Sequence, residues 1–177
     1  LRGAGKESTV LLPATDGLLV DGSKQRNGVY VADVRIEANA GACIKGFNVK
    51  RSKFERMELV QRSADHPAID GRDSTLLLVC TFDMVDTWVY GAPRTVPGIV
   101  FTSAATDAMT QTTFSNLSWW NGDWEASQAG VVDNTQPLAS FAATGTSNKL
   151  RNNKLVNVVF ENGRGGGVVL ASCTGWD

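Results

Sequence analysis

The stretch VYVADVRIEA, residues 29–38, decides how this chain is read. Within it Val31, Val34 and Ile36 follow a beat of apolar, two spacers, apolar, one spacer, apolar. The beat returns as Phe54, Met57 and Leu59, as Leu77, Cys80 and Phe82, as Phe114, Leu117 and Trp119, and as Leu155, Val158 and Phe160. A second apolar stretch ending at glycine or a turn precedes each copy: Val20-Asp21-Gly22, Ile44-Lys45-Gly46 and Ile69-Asp70-Gly71, then looser versions at Ile99 and Val132. Val31 to Phe54 and Phe54 to Leu77 each span 23 residues. Self-similarity at a fixed period of about 20–50 residues marks a repeat architecture in which each unit buries its apolar face against the next.

Two short Val-, Ile-, Leu- and Phe-rich stretches per repeat, separated by turn residues, read as strands. No segment sustains the i, i+3, i+4, i+7 stripe of an amphipathic helix. The expected fold is therefore all-β, a right-handed parallel β-helix: a single-stranded solenoid of about six coils, in which equivalent strands lie about 4.8 Å apart. Regular turns are expected in residues 17–82 and lateral loops in residues 83–154, within one domain covering residues 1–177. The inward stacks would be Val31, Phe54, Leu77, Phe114 and Leu155, and Ile36, Leu59, Phe82, Trp119 and Phe160. An antiparallel β-sandwich with coincidental spacing is the competing architecture.

With 177 residues the chain is one domain long. Its 17 basic and 18 acidic residues leave a formal charge of -1, which argues against a nucleic-acid reader. No run of about 18 apolar residues offers a membrane span, and no leader pattern is seen. Because the chain opens on Leu1 rather than Met, it is expected to be part of a longer protein. Three cysteines, Cys43, Cys80 and Cys173, show no pairing pattern and read as reduced thiols. With a single His, His66 in a turn before Pro67, no zinc spacing can be completed, and neither a metal nor a cofactor is expected.

The opening LRGAGKESTVLLP (residues 1–13), followed by GLLVDG (17–22) and GVYVADVRIEA (28–38), resembles the first coils of pectate-lyase-like right-handed parallel β-helices of bacteriophage tailspikes. The likeness runs from about Leu1 to Ser172 and is one of fold pattern, not of a catalytic signature. It implies a homotrimer with three helices side by side, made in the host cytoplasm and mounted in the virion tail. The implied partners are a host cell-surface polysaccharide, O-antigen or capsule, and other tail proteins held through segments outside this chain.

After Phe82 the repeat lengthens: Leu77 to Phe114 is 37 residues and Phe114 to Leu155 is 41. The added stretches are DMVDTWVYGAPRTVP, TSAATDAMTQT, NGDWEASQAG and NTQPLASFAATGTSNKLRNN. Loops on a rigid scaffold carry recognition, so function is expected there. Trp88, Trp120 and Trp124 fall in or beside these stretches, and their rings would stack on the C–H faces of sugars. Candidate catalytic acids are Asp83, Asp86, Asp123, Glu125 and Glu161. The beat aligns Glu37, Val60, Asp83, Trp120 and Glu161 in one outward column and sets Asp86 beside Asp123. Paired carboxyls about 5–5.5 Å or 6.5–9.5 Å apart suit glycoside hydrolysis, so depolymerisation of the bound polysaccharide is the expected activity. A non-catalytic adhesin or structural tail-fibre segment is the alternative. A calcium-dependent lyase is a third, kept open by Asp70, Arg72 and Asp73.

Three surface features complete the reading. Arg35 and Glu58 should face each other across adjacent coils, on a mixed-charge face with Lys45, Lys50, Arg51, Lys53, Glu55, Arg56 and Arg62. Asn116 with Asn157, and Asn121 with Asn162, should stack as amide ladders.

Overall fold

The computed structural model of the chain describes residues 1–20, 26–72, 76–90, 94–103, 109–121, 136–143, 150–161, 167–171 and 173–175. Among these residues there is no helix, and every strand pairing is parallel. Three sheets share the strands. Sheet I holds Val10–Leu11, Arg35–Ala38, Lys53–Gln61, Thr81–Val89, Thr113–Asn121 and Lys154–Glu161, with Tyr30–Ala32 pairing onto Lys53–Gln61. Sheet II runs from Leu18–Leu19 through Ile44–Lys45, Ile69–Asp70, Ile99–Ser103 and Ala139–Ala143 to Val168–Ala171. Sheet III runs from Arg26–Asn27 through Asn48–Lys50, Leu76–Leu78, Met109–Thr110 and Leu150–Arg151 to Cys173–Thr174. The chain visits sheets I, II and III in turn and then steps to the next level. This all-parallel stacking is compatible with a parallel β-helix and not with an antiparallel sandwich.

The backbone explains the beat. Strand side chains alternate between faces, so two inward residues separated by two spacers require a break in the alternation. At each break one residue takes a left-handed conformation: Asp33, Arg56, Met84, Asn116 and Asn157 in sheet I, with φ between 50° and 59°. That residue turns the chain so that the positions two before it and one after it both face the core, as with Val31 and Val34. A second set of left-handed residues marks the corner from sheet III to sheet I: Gly28, Arg51, Val79, Gln111 and Asn152, with Gly175 in the same conformation after Cys173–Thr174. Each level therefore writes the beat twice.

This double use corrects the register expected from sequence. Leu77-Cys80-Phe82 is a true copy of the beat, but it belongs to the second corner, around Val79. In sheet I, Phe54 pairs with Phe82 and Leu59 with Thr87, five residues beyond the expected partners Leu77 and Phe82. Leu77 sits instead in sheet III between Val49 and Met109. The inward stacks are Val31, Phe54, Phe82, Phe114 and Leu155, and Ile36, Leu59, Thr87, Trp119 and Phe160. Thr87 hid the true copy because its inward third position is polar. Its hydroxyl is buried without a hydrogen-bond partner, as is the neighbouring Trp119 indole N–H. A second correction follows: DMVDTWV is part of strand Thr81–Val89, not a lateral loop.

Aromatic rings dominate the interior. Phe82 lies between Phe54 and Phe114, with ring centroids 4.7 and 4.9 Å away and planes 10° and 15° apart. Phe101 stacks on Phe141 at 5.5 Å, and Phe47 presents its edge to Phe54 and Phe82. The glycine of Ile69-Asp70-Gly71 has a packing reason: a Cβ at Gly71 would stand 2.1 Å from the Phe101 ring. Inside the second corner runs a buried polar row, Ser52, Thr112 and Asn153. Its side chains serve the backbone: Val29 N–H donates to Ser52 Oγ, and Thr112 N–H donates to Asn153 Oδ1. Cys43 and Cys80 are buried thiols, and burial pushes Cys43 up to about 12.

Candidate functional site

The outer face of sheet I collects most of the chemistry. Its left-handed column, Asp33, Arg56, Met84 and Asn116, lines a groove of about 400 Å³ together with Lys6 and Asp86. Arg56 grips Asp33 with two nitrogens, Nε to Oδ1 at 2.7 Å and Nη2 to Oδ2 at 2.9 Å, a planar fork on a carboxylate. Arg2 adds a third contact to Asp33 at 3.0 Å. Glu55 accepts from Tyr30 OH at 2.5 Å and pairs with Lys53 and with Arg56 Nη1. Lys6 reaches across the levels to Asp86 Oδ2 at 2.8 Å.

These partners shift Asp33 and Glu55. The Arg56 hydrogen bonds, helped by Arg2, hold Asp33 down at about 2, below its ordinary 3.8. Lys53, then Tyr30 and Arg56, hold Glu55 at about 2, below its ordinary 4.5. The hydrogen bond to Asp86 raises Lys6. Acids depressed in the folded state add stability that is present above their unfolded values and is lost as pH falls through the folded ones. Melting temperature is therefore expected to decline as pH drops from about 4.5 towards about 2. Arg56→Asn, which suits the left-handed backbone, should flatten that decline; an unchanged acid slope in this variant would remove the Arg56 network as its source.

The sequence-derived site residues sort unevenly. Asp83 accepts from Ser115 Oγ and Asn116 Nδ2, both at 2.9 Å. Asn116 Oδ1 in turn accepts from Asn157 Nδ2 at 2.9 Å, so the first expected amide ladder exists. The expected Arg35–Glu58 pair also exists, at 3.4 Å, and Glu37 joins it through Arg35 and Arg62. Trp88 and Trp120 pair across adjacent strands, both half-buried, with ring centroids 4.0 Å apart and planes at 88°. Glu161, exposed, follows Trp120 on the next strand.

The outward column is thus Glu37, Val60, Trp88, Trp120 and Glu161, and Trp88 holds the place expected for Asp83. Asp83 instead faces Glu55 and Ser115, the same five-residue slip, and Asp86 pairs with Glu58. Asp123, Trp124, Glu125, Asn162 and Asp73 lie outside the described residues.

Sequence reasoning placed none of Lys6, Asp33, Arg56 and Met84 at a site, and read Arg56 only as part of a mixed-charge face. Three of them share one signal: they stand two places after Val31, Phe54 and Phe82, where the chain turns. Elsewhere, Asp70 is clamped by Arg72 at 2.6 and 2.8 Å and lines a recess with Asp16, Lys45 and His66. Among the described residues no three His, Cys, Asp or Glu side chains come together as metal ligands. No helix among them is long and apolar enough to cross a membrane. Comparison with known proteins finds no matching family model, no matching curated protein and no matching solved structure.

Proposed function

We propose that the chain is a segment of a right-handed parallel β-helix that holds a host-surface polysaccharide against the outer face of sheet I. Right-handed winding is the general rule for connections between parallel strands. The observation that carries the binding reading is the Trp88–Trp120 pair. Two rigid rings, partly exposed on the same outer face of sheet I as the groove, offer C–H stacking at low entropic cost. The charged and amide groups of the groove can meet the hydroxyls of adjoining sugars. Membership of a phage tail and a side-by-side trimer rest on the resemblance to tailspike β-helices alone.

Hydrolysis is the second reading, favoured by the place of Glu161 next to Trp120 in one column. A sugar stacked on the indoles would present its linkage near that carboxylate. A second acid must then be recruited, and Asp83 and Asp86 are already engaged by Ser115 and Asn116 and by Lys6.

Titration of capsule or lipopolysaccharide from a susceptible host, followed by tryptophan fluorescence, tests the binding. Trp88→Ala and Trp120→Ala should each weaken it by about tenfold or more. Variants that bind like the parent would remove the aromatic pair from the site. Release of reducing ends, abolished by Glu161→Gln with binding retained, would establish the hydrolase; binding with no release leaves the adhesin.

A further inference from the structure

The left-handed column of sheet I is a polar ladder with one gap. Asp33 and Arg56 hold each other at 2.7 and 2.9 Å, and Asn157 Nδ2 donates to Asn116 Oδ1 at 2.9 Å. Met84, the middle member, breaks the ladder. It takes φ 54° where asparagine and aspartate are several-fold favoured, and its side chain has no group to bond the turn. It is also 51% exposed, although strands of sheet I flank it on both sides and the adjacent inward residues Phe82 and Val85 are buried. This exposure belongs to the middle of the sheet and owes nothing to the first or last coil.

The surroundings define what can meet the thioether. Met84 shares the groove with Lys6, Asp33, Arg56, Asp86 and Asn116, whose two cations and two carboxylates cancel. Each cation already holds a carboxylate: Lys6 with Asp86 at 2.8 Å, Arg56 with Asp33 at 2.7 Å. A charged ligand would have to break one of these pairs and leave its partner uncompensated, so the groove suits an uncharged one. Its volume, about 400 Å³, is that of a small-ligand site.

Met84, Asp86 and Trp88 alternate with the buried Val85, Thr87 and Val89, which sets all three on the outer face. Four residues at about 3.3 Å each place Met84 about 13 Å along the strand from Trp88. The two apolar points differ in kind. A flat indole suits the C–H face of a ring, whereas a flexible, polarisable thioether moulds itself to a small rounded group.

We propose that the groove is a subsite for an uncharged sugar bearing a methyl group, as an acetamido or a 6-deoxy substituent, with the methyl seated on Met84. This rests on the reading of sheet I as a polysaccharide face; a chain lying along strand Thr81–Val89 reaches both Met84 and the Trp88–Trp120 pair.

Methyl NMR of the chain labelled in its methionines tests this directly, because Met57 and Met109 are buried and serve as internal controls. The probes are two matched pairs. Chitotriose carries acetamido groups where cellotriose carries hydroxyls, and methyl α-L-fucoside carries a methyl where methyl α-L-galactoside carries a hydroxymethyl. The methyl-bearing member of one pair should move the Met84 signal and leave Met57 and Met109 in place, and its hydroxyl counterpart should bind about tenfold more weakly or worse. Which pair responds separates acetamido from 6-deoxy recognition. Met84→Asn, which suits the left-handed backbone, should match or exceed the parent's melting temperature and lose saturation transfer to the sugar methyl. A Met84 signal unmoved by both methyl-bearing probes, equal binding of the hydroxyl counterparts, tighter binding of trigalacturonate, or an Asn variant that keeps the methyl contact or melts lower would each overturn the proposal. Polysaccharide that changes tryptophan fluorescence while Met84 stays silent removes this subsite and leaves the binding reading; a probe that moves Met84 when no polysaccharide binds does the reverse.

Discussion

Phe82→Ala is expected to remove about 3–5 kcal/mol of stability, the range for truncating a fully buried Phe. The side chain is 0% exposed and has a ring on either side, so neighbours cannot collapse into the space without breaking the Phe54 and Phe114 contacts. Each lost face also removes an aromatic contact of about 0.5–1.5 kcal/mol beyond area burial. At about 2–4 °C per kcal/mol for a chain of this size, melting should fall by roughly 6–20 °C. A double-mutant cycle ties this to the register: Phe54 and Phe82 should couple by about 0.5–1.5 kcal/mol. Phe54 and Leu77, in different sheets, should couple less. Equal coupling in the two cycles would contradict the stacking described above.

That register marks how far the residues alone could be read. The strand type, the parallel stacking and the inward set at Val31, Phe54, Met57, Leu59, Phe114 and Leu117 were legible, because alternate burial leaves a period that any apolar side chain reveals. Which of two similar corners a given copy belonged to was not legible. Leu77-Cys80-Phe82 obeys the same backbone rule as Phe82-Val85-Thr87, and only pairing across levels separates them. The site suffered from the same cause. Trp88 and Trp120 were recognisable as uncommitted aromatics, whereas their contact depends on a register shifted by five residues. The groove residues Asp33, Arg56 and Met84 differ in chemistry at one backbone position. What they share is a left-handed φ rather than a residue type, and a pattern of polarity does not show it.

The buried amide of Asn153 should be a sensitive polar position. It is 0% exposed, accepts from Thr112 N–H at 2.9 Å and donates to Met109 C=O at 3.3 Å, so one side chain joins two levels at the sheet III corner. Asn153→Ala strands the buried Thr112 N–H and withdraws the donor from Met109. At about 1–3 kcal/mol for a buried group left unpaired, the loss should be roughly 2–4 kcal/mol. Asn153→Asp separates the hydrogen bonds from the packing. Its carboxylate keeps an acceptor for Thr112 but meets Met109 C=O with no proton, and burial raises its folded pKa above the unfolded value. A raised carboxyl binds its proton more tightly in the folded state, so this variant is most stable below the unfolded pKa and loses stability as pH rises. The protonated form can donate to Met109 as the amide does. Asn153→Asp is therefore expected to approach the parent's stability near pH 4 and to fall below Asn153→Ala near pH 7. Chemical denaturation at the two pH values measures both; an Asp variant with the same deficit at each would mean that the site admits water and that the amide does not hold the corner.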